Sequence, residues 1–213
     1  MLYTQSFVFN PFQENTYVLY NDKKQCWIID PGMYDAAELS HFIDYIQDNM
    51  LLPQAIINTH THLDHIFGVP ALMERYNIPF GIHEMDKPVL NGAAGSAALF
   101  GFDFRTIPQP GFFIPHNKKL DLAGDQLNVL FVPGHSPGSI AFYYAPGNWV
   151  IAGDALFSGS IGRTDLPGGN HNQLITSIKT QLFSLPDNTT VFSGHGPATT
   201  INNEKNFNPF LTD

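Results

Sequence analysis

The segment INTHTHLDH, residues 57–65, is the tightest constraint in this sequence. It places His60, His62, Asp64 and His65 directly behind the apolar run Ala55, Ile56, Ile57. Imidazole and carboxylate are the usual ligands of zinc and iron at neutral pH. The chain has 9 histidines, and five of them share one recurring context or its immediate neighbourhood. AIINT runs into His60, NVLFVPG into His135, WVIAG into Asp154 and TVFSG into His195. Each is an apolar, strand-like run that ends in a metal-capable side chain. Gly134, Gly153 and Gly194 stand directly before three of those residues, where they permit a close backbone approach. Functional groups of layered α/β folds gather beyond the carboxyl ends of strands. Four such strand ends therefore predict one shared site.

The spacing divides the donors into two sets. Residues two apart on an extended segment face the same side, so His60 and His62 can share one ion. Asp64 and His65 fall at the start of the next helix and can reach a second ion. His135 completes the first set and His195 the second. Asp154 has two carboxylate oxygens and can bridge them.

The rest of the chain reads as segments rich in β-branched and aromatic residues alternating with turn clusters. SFVFN, NTYVLY and CWIID are expected strands. Residues 35–49 read as a helix, with Leu39, Phe42, Ile43 and Ile46 at helical spacing. LPQAIINT is an expected buried strand, residues 66–76 a helix and PFGIHE another strand. Residues 87–104 are ambiguous and read as a short helix plus a mobile loop over a site. Residues 119–134 and 139–154 read as hairpins, residues 170–185 as a helix and TTVFSGHG as a last strand. No linker or repeat interrupts this order, so residues 1–213 are expected to form one domain. A net charge of -9 argues against nucleic acid and anionic membrane surfaces as partners. Cys26 is the single cysteine, which excludes a disulfide framework and a cysteine zinc finger. It is expected to be a buried packing residue. No export signal is read at the N-terminus, and no apolar run approaches membrane-spanning length. The expectation is a cytoplasmic protein.

With THTHLDH, His135, Asp154 and His195 in that order, the chain resembles the metallo-β-lactamase fold superfamily. IIDPG, PGHSPGS, AGDALFSGSIGRTDLPGG and SGHGPATT agree with it. It looks closest to glyoxalase II (hydroxyacylglutathione hydrolase) and its short relatives, to which GRTDLPGG and INNEKNFNPFL are similar. The resemblance implies an α/β fold: a four-layer αββα sandwich with the metal site at one edge of the two sheets. It implies two divalent metal ions, zinc foremost, with iron or manganese as alternatives. His60, His62 and His135 would hold one ion and Asp64, His65 and His195 the other, with Asp154 bridging. The implied reaction is hydrolysis of a small-molecule thioester such as S-lactoylglutathione by a metal-bound hydroxide, with Asp64 also orienting the water. Arg163 is the implied substrate contact, and an Arg163–Asp165 ion pair is the competing reading. Asp30 is implied to support the metal shell, with Thr59 and Ser193 as further candidates.

A persulfide dioxygenase of the same fold is the alternative. It would hold a single Fe(II) with His60 or His62, His135 and Asp154. LPGGN after Asp154 resembles the hydrolase subgroup better. A β-lactamase is disfavoured by Asp154, where those enzymes usually carry cysteine, and a nuclease by the acidic charge. His41 is expected on the surface, and His83, which follows a strand, is a minor candidate for the pocket rim. Phe100, Phe102, Phe104, Phe112 and Phe113 are expected to divide between core and surface. His116, His171, Asn15 and Tyr17 are given no role.

Overall fold

Two six-stranded sheets pack face to face, and the alternation of apolar residues along their strands dictates how. A computed structural model describes residues 1–212. The first sheet contains β1 (Leu2–Phe9), β2 (Glu14–Asn21), β3 (Gln25–Ile29), β4 (Leu52–Ile57), β5 (Phe80–Ile82) and β6 (Phe112–Phe113), in that spatial order. Chain order continues with β7 (Lys119–Leu122), β8 (Asp125–Phe131), β9 (Ile140–Tyr144) and β10 (Trp149–Gly153). A short ribbon of β11 (Leu156–Phe157) and β12 (Ser160–Ile161) precedes β13 (Thr190–Ser193) and β14 (Thr199–Thr200). The second sheet has the order β14-β13-β10-β9-β8-β7. Both sheets are mixed: β3, β4, β5 and β6 run parallel, as do β10 and β13, and the other pairings are antiparallel.

Successive strand residues point to opposite faces. In the first sheet Tyr17, Leu19, Trp27, Ile29, Ala55 and Ile57 face inward. They meet Leu127, Val129, Ile140, Phe142 and Ile151 from the second sheet. Their neighbours Val18, Cys26, Ile28 and Ile56 face outward, under α1 (Ala36–Asp48), α2 (Val69–Tyr76) and α3 (Lys87–Phe100). On the far side Ala141, Val150, Ala152 and Val191 lie under α4 (His171–Ser177) and α5 (Ile201–Phe207). Sheets covered on both faces need near-continuous apolar strands, and WVIAG and QCWII are such strands. The result is the expected four-layer αββα sandwich.

Local chemistry sets the element ends. Asp35 caps α1, its carboxylate accepting from the Ala37 and Glu38 amides at 2.9 Å. Residues 87–104, expected as a short helix plus a loop, form α3 as far as Phe100, where Gly101 stops it in a left-handed conformation. The helix expected over 170–185 is α4 followed by a π-helical stretch, Ile178–Leu182. Thr176 and Thr180 hydroxyls donate to carbonyls four residues back, a bond that loosens helical geometry. No helix among the described residues is long and apolar enough to cross a membrane.

Cys26 is fully buried beneath the first layer of helices, and burial pushes its thiol up to about 12. Thiol reagents act on the thiolate. A maleimide at pH 7.5 should leave the native chain unlabelled and label it once in denaturant, read by intact mass. Labelling of the native chain would contradict this packing.

Candidate metal centre

The carboxyl ends of β4, β10 and β13, together with the end of β8, meet at one edge of the sandwich. There His60, His62 and His135 form one group of donors, and Asp64, His65 and His195 form another. Within each group the facing atoms all lie within 4.8 Å of one another. His135 Nε2 is 3.2 Å from His60 Nε2 and 2.7 Å from His62 Nδ1. Asp64 Oδ2 lies 3.1 Å from His195 Nε2 and 3.7 Å from His65 Nε2. Asp154 sits between the groups. One of its oxygens is 3.4 Å from His65 Nε2, and the other is 3.5 Å from His135 and 3.6 Å from His195. All seven predicted residues converge.

The glycines ahead of these residues are required by contact. A side chain at Gly194 would collide with the Asp154 carboxylate and His65, and one at Gly153 with Thr59. Gly153 also sits at a register shift in β10, at φ 52°, which turns Asp154 out of the sheet.

Three of the rings are aimed by a hydrogen bond at the far nitrogen. His135 Nδ1 pairs with the Arg163 carbonyl at 2.8 Å and His195 Nδ1 with the Phe12 carbonyl at 3.0 Å. His65 Nδ1 is 3.2 Å from Asp30 Oδ2. Such partners fix the tautomer and leave Nε2 free toward the centre. Asp30 also accepts from the Thr59 amide at 2.7 Å and the Thr59 hydroxyl at 2.6 Å. It holds a left-handed backbone, φ 49°, a conformation that costs a non-glycine residue about 1 kcal/mol or more. Ser193 and the two β2 residues without an assigned role bind the sheets together here. Asn15 Nδ2 donates to the Ser193 and Gly196 carbonyls, and the Tyr17 hydroxyl donates to the Ser193 carbonyl.

Sequence reasoning missed three supports. Asp86 is buried and accepts from the Thr61 amide and hydroxyl with one oxygen, and from the Ser136 hydroxyl and Gly138 amide with the other. It thereby ties the loop carrying His60 and His62 to the loop carrying His135. Buried Glu14 lies 3.7 Å from His65. Glu204 accepts from the Thr199 hydroxyl, the Gly159 amide and Asn208 Nδ2, which locks α5 onto the turn between β11 and β12. An acidic residue in a loop, at a strand start or in a helix carries no signal of this in the sequence.

Electrostatics favours cations. Burial holds His60 well below the ordinary histidine value and pushes His62 down to about 3, helped by the neighbouring imidazoles. Both stay neutral, the form that binds metal. Burial also opposes charge on His65 and His195, but Asp154 and Asp64 outweigh it and raise both. Burial would protonate Asp154, yet His65, His135 and His60 hold it well below the carboxylate range. His65 Nε2 and Asp154 Oδ1 are buried with no hydrogen-bond partner in the protein. Buried polar atoms are rarely left so. Imidazole nitrogens facing each other at about 3 Å, beside carboxylates, fit divalent metal.

Other predicted residues fall elsewhere. The Arg163 guanidinium forms two 2.7 Å hydrogen bonds with Asp165, so the ion pair exists, on the surface at the site's rim. His83 does not rim the pocket. It stacks on Phe131 and bonds His116 at 2.9 Å. His41 and His171 are exposed. Phe104 is buried, Phe113 is exposed, and Phe100 reaches the pocket mouth.

A model of the metallo-β-lactamase superfamily matches residues 9–195. The chain belongs to that superfamily. It is 42% identical over 203 residues to the probable metallo-hydrolase YqgX of Bacillus subtilis, covering 94% of this chain and 93% of that one. It is 36% identical over 207 residues to hydroxyacylglutathione hydrolase GloC of Haemophilus influenzae, at 94% and 93% coverage. Two solved structures are similar throughout. BLEG-1 B3 metallo-β-lactamase superposes with TM-score 0.91 at 39% identity, covering 99% of this chain and 100% of that one. TTHA1623 in a di-iron-bound form gives 0.87 at 39%, with 97% and 100% covered. The superfamily's members are metallo-hydrolases that bind divalent metal.

Asp30→Asn keeps the size of the side chain but removes the acceptor that aims His65. It should lower metal affinity about 10- to 100-fold, read by competition with a chelator. Parental affinity would take Asp30 out of the metal site.

Proposed function

We propose that this protein is a thioester hydrolase working with two divalent metal ions, zinc foremost and iron or manganese as alternatives. The observation that carries the reading is the pair of complete donor sets on either side of Asp154. His60, His62 and His135 would hold one ion, Asp64, His65 and His195 the other, and the Asp154 carboxylate would span both. When bound, the ions supply an acidified water and polarise the substrate carbonyl.

The chain's own residues do the rest. Asp64 turns Oδ2 toward His195, which leaves Oδ1 to accept a hydrogen bond from the attacking water and aim its lone pair. The apolar pocket wall around the centre excludes bulk water and strengthens each of these contacts. The thiolate is a leaving group that needs no acid of its own near neutral pH. Likeness to GloC, a hydroxyacylglutathione hydrolase, supports a thioester as substrate. A persulfide dioxygenase with a single Fe(II) would leave Asp64, His65 and His195 without an ion to hold, so the second donor set favours the hydrolase. The substrate is a small molecule, and the acidic charge argues against nucleic acid and membranes as partners.

Metal-loaded protein should hydrolyse S-D-lactoylglutathione, lose turnover in chelator and regain it on adding metal back. Asp64→Asn should lower kcat about 10²–10⁴-fold. A fully loaded protein that leaves every thioester intact but consumes oxygen with glutathione persulfide would overturn the hydrolase reading.

A further inference from the structure

A cavity of about 810 Å³ opens over the metal centre. Its floor is the donor set, where His65 Nε2 and Asp154 Oδ1 are unpartnered on side chains at least nine-tenths buried. Its walls are of another character. One wall is α3, which turns Leu90, Ala93 and Ala97 into the core and Val89, Gly92, Ser96 and Leu99 toward the cavity. Phe157, Ile161 and Leu166 form the facing wall. Beyond the donors, the one charged side chain in the lining is Arg163, which Asp165 already neutralises through two hydrogen bonds.

The glycines of α3 sharpen this. Glycine weakens a helix interior relative to alanine. A Cβ added at Gly92 or Gly95 meets no atom within 4 Å, so packing does not demand glycine at either position. What glycine does there is keep the cavity wide where the helix passes the metal centre. At the mouth Leu99 is 81% exposed, and Phe12 and Phe100 contact edge to face at 5.8 Å, leaving apolar surface open to the cavity.

We propose that the α3 wall at Gly92, Gly95, Ser96 and Leu99 is an acyl subsite, and that the thioester this site cleaves carries an apolar acyl group of medium length. The inference rests on the thioester reading. It commits to the acyl half because the cavity is continuous with the donors that must meet the carbonyl. A polar hydroxyacyl group such as lactoyl gains nothing from these walls.

The test is an acyl series on one small neutral thiol, N-acetylcysteamine, with metal-loaded protein. The structure predicts that kcat/KM rises roughly fourfold per methylene from acetyl through hexanoyl, the free energy of burying each group. D-lactoyl should rank with the short members. Gly92→Leu should cut the hexanoyl-to-acetyl ratio at least tenfold, mainly through KM. Its thermal midpoint should not fall, which separates a filled subsite from a damaged fold. A flat or falling series, with hydrolysis present, overturns the subsite and leaves the hydrolase standing. If no member is hydrolysed, the thioester reading fails, and calorimetric binding of the same series to metal-free protein decides the subsite. Chain-length-independent binding there overturns it as well.

Discussion

The structure depends on a concentration of buried and half-buried carboxylates whose ion-pair partners, among the described residues, are histidines. Glu14, Asp30, Asp64 and Asp154 gather at one edge of the sandwich, and the ion-pair contacts recorded for them run to His65, His135 and His195. Removing one carboxylate from water costs several kcal/mol even after relaxation, on the order quoted for buried ions. At His65 and His195 the neighbouring carboxylates favour the charged imidazolium, which offsets part of this. His60 and His62 cannot, because burial keeps them neutral. Divalent cations between the two donor groups would supply the missing positive charge and partner the orphaned atoms of His65 and Asp154 at once. Folding therefore meets a large electrostatic cost at this edge of the sandwich, which bound cations would offset.

The scaffold is arranged to bear that cost. Neither sheet alone holds the donors. His60, His62 and His65 come from the end of β4 in the first sheet, whereas His135, Asp154 and His195 follow strands of the second. Bonds across the gap keep the two halves in register: Asn15 and Tyr17 to the end of β13, the Ile140 amide of β9 to the Thr59 carbonyl, and Asp86 between the His60 and His135 loops. These are hydrogen bonds to charged or buried groups, the kind whose loss is most costly. The strands close so tightly here that a side chain at Gly153 would collide with Thr59, and one at Gly194 with Asp154 and His65.

Much of this was legible in the sequence because it rests on local rules. Near-continuous apolar residues in NTYVLY, CWIID and WVIAGD mark strands buried on both faces, and a donor directly after each apolar run marks the edge where they meet. The two-residue spacing of His60 and His62 places both on one side of an extended loop. Less legible were the interactions that join distant segments. Asp86 and Glu204 each accept from groups far away in the chain, and no periodicity or motif encodes such a partner. His83 is the opposite case. It follows a strand just as the donors do, but the strand is β5, and Phe131 and His116 take up its ring. Arg163 was legible as half of an ion pair because Asp165 is two residues away. The use of its carbonyl to aim His135 was not, because any residue could supply that carbonyl.

Metal content per chain tests the central claim most directly. The protein, reconstituted with excess zinc and then freed of unbound ion, should carry two ions per chain by elemental analysis. Asp154→Ala should reduce that to one or fewer, because the carboxylate belongs to both sets. A parental content of one ion, unchanged by Asp64→Ala or His195→Ala, would contradict the dinuclear account.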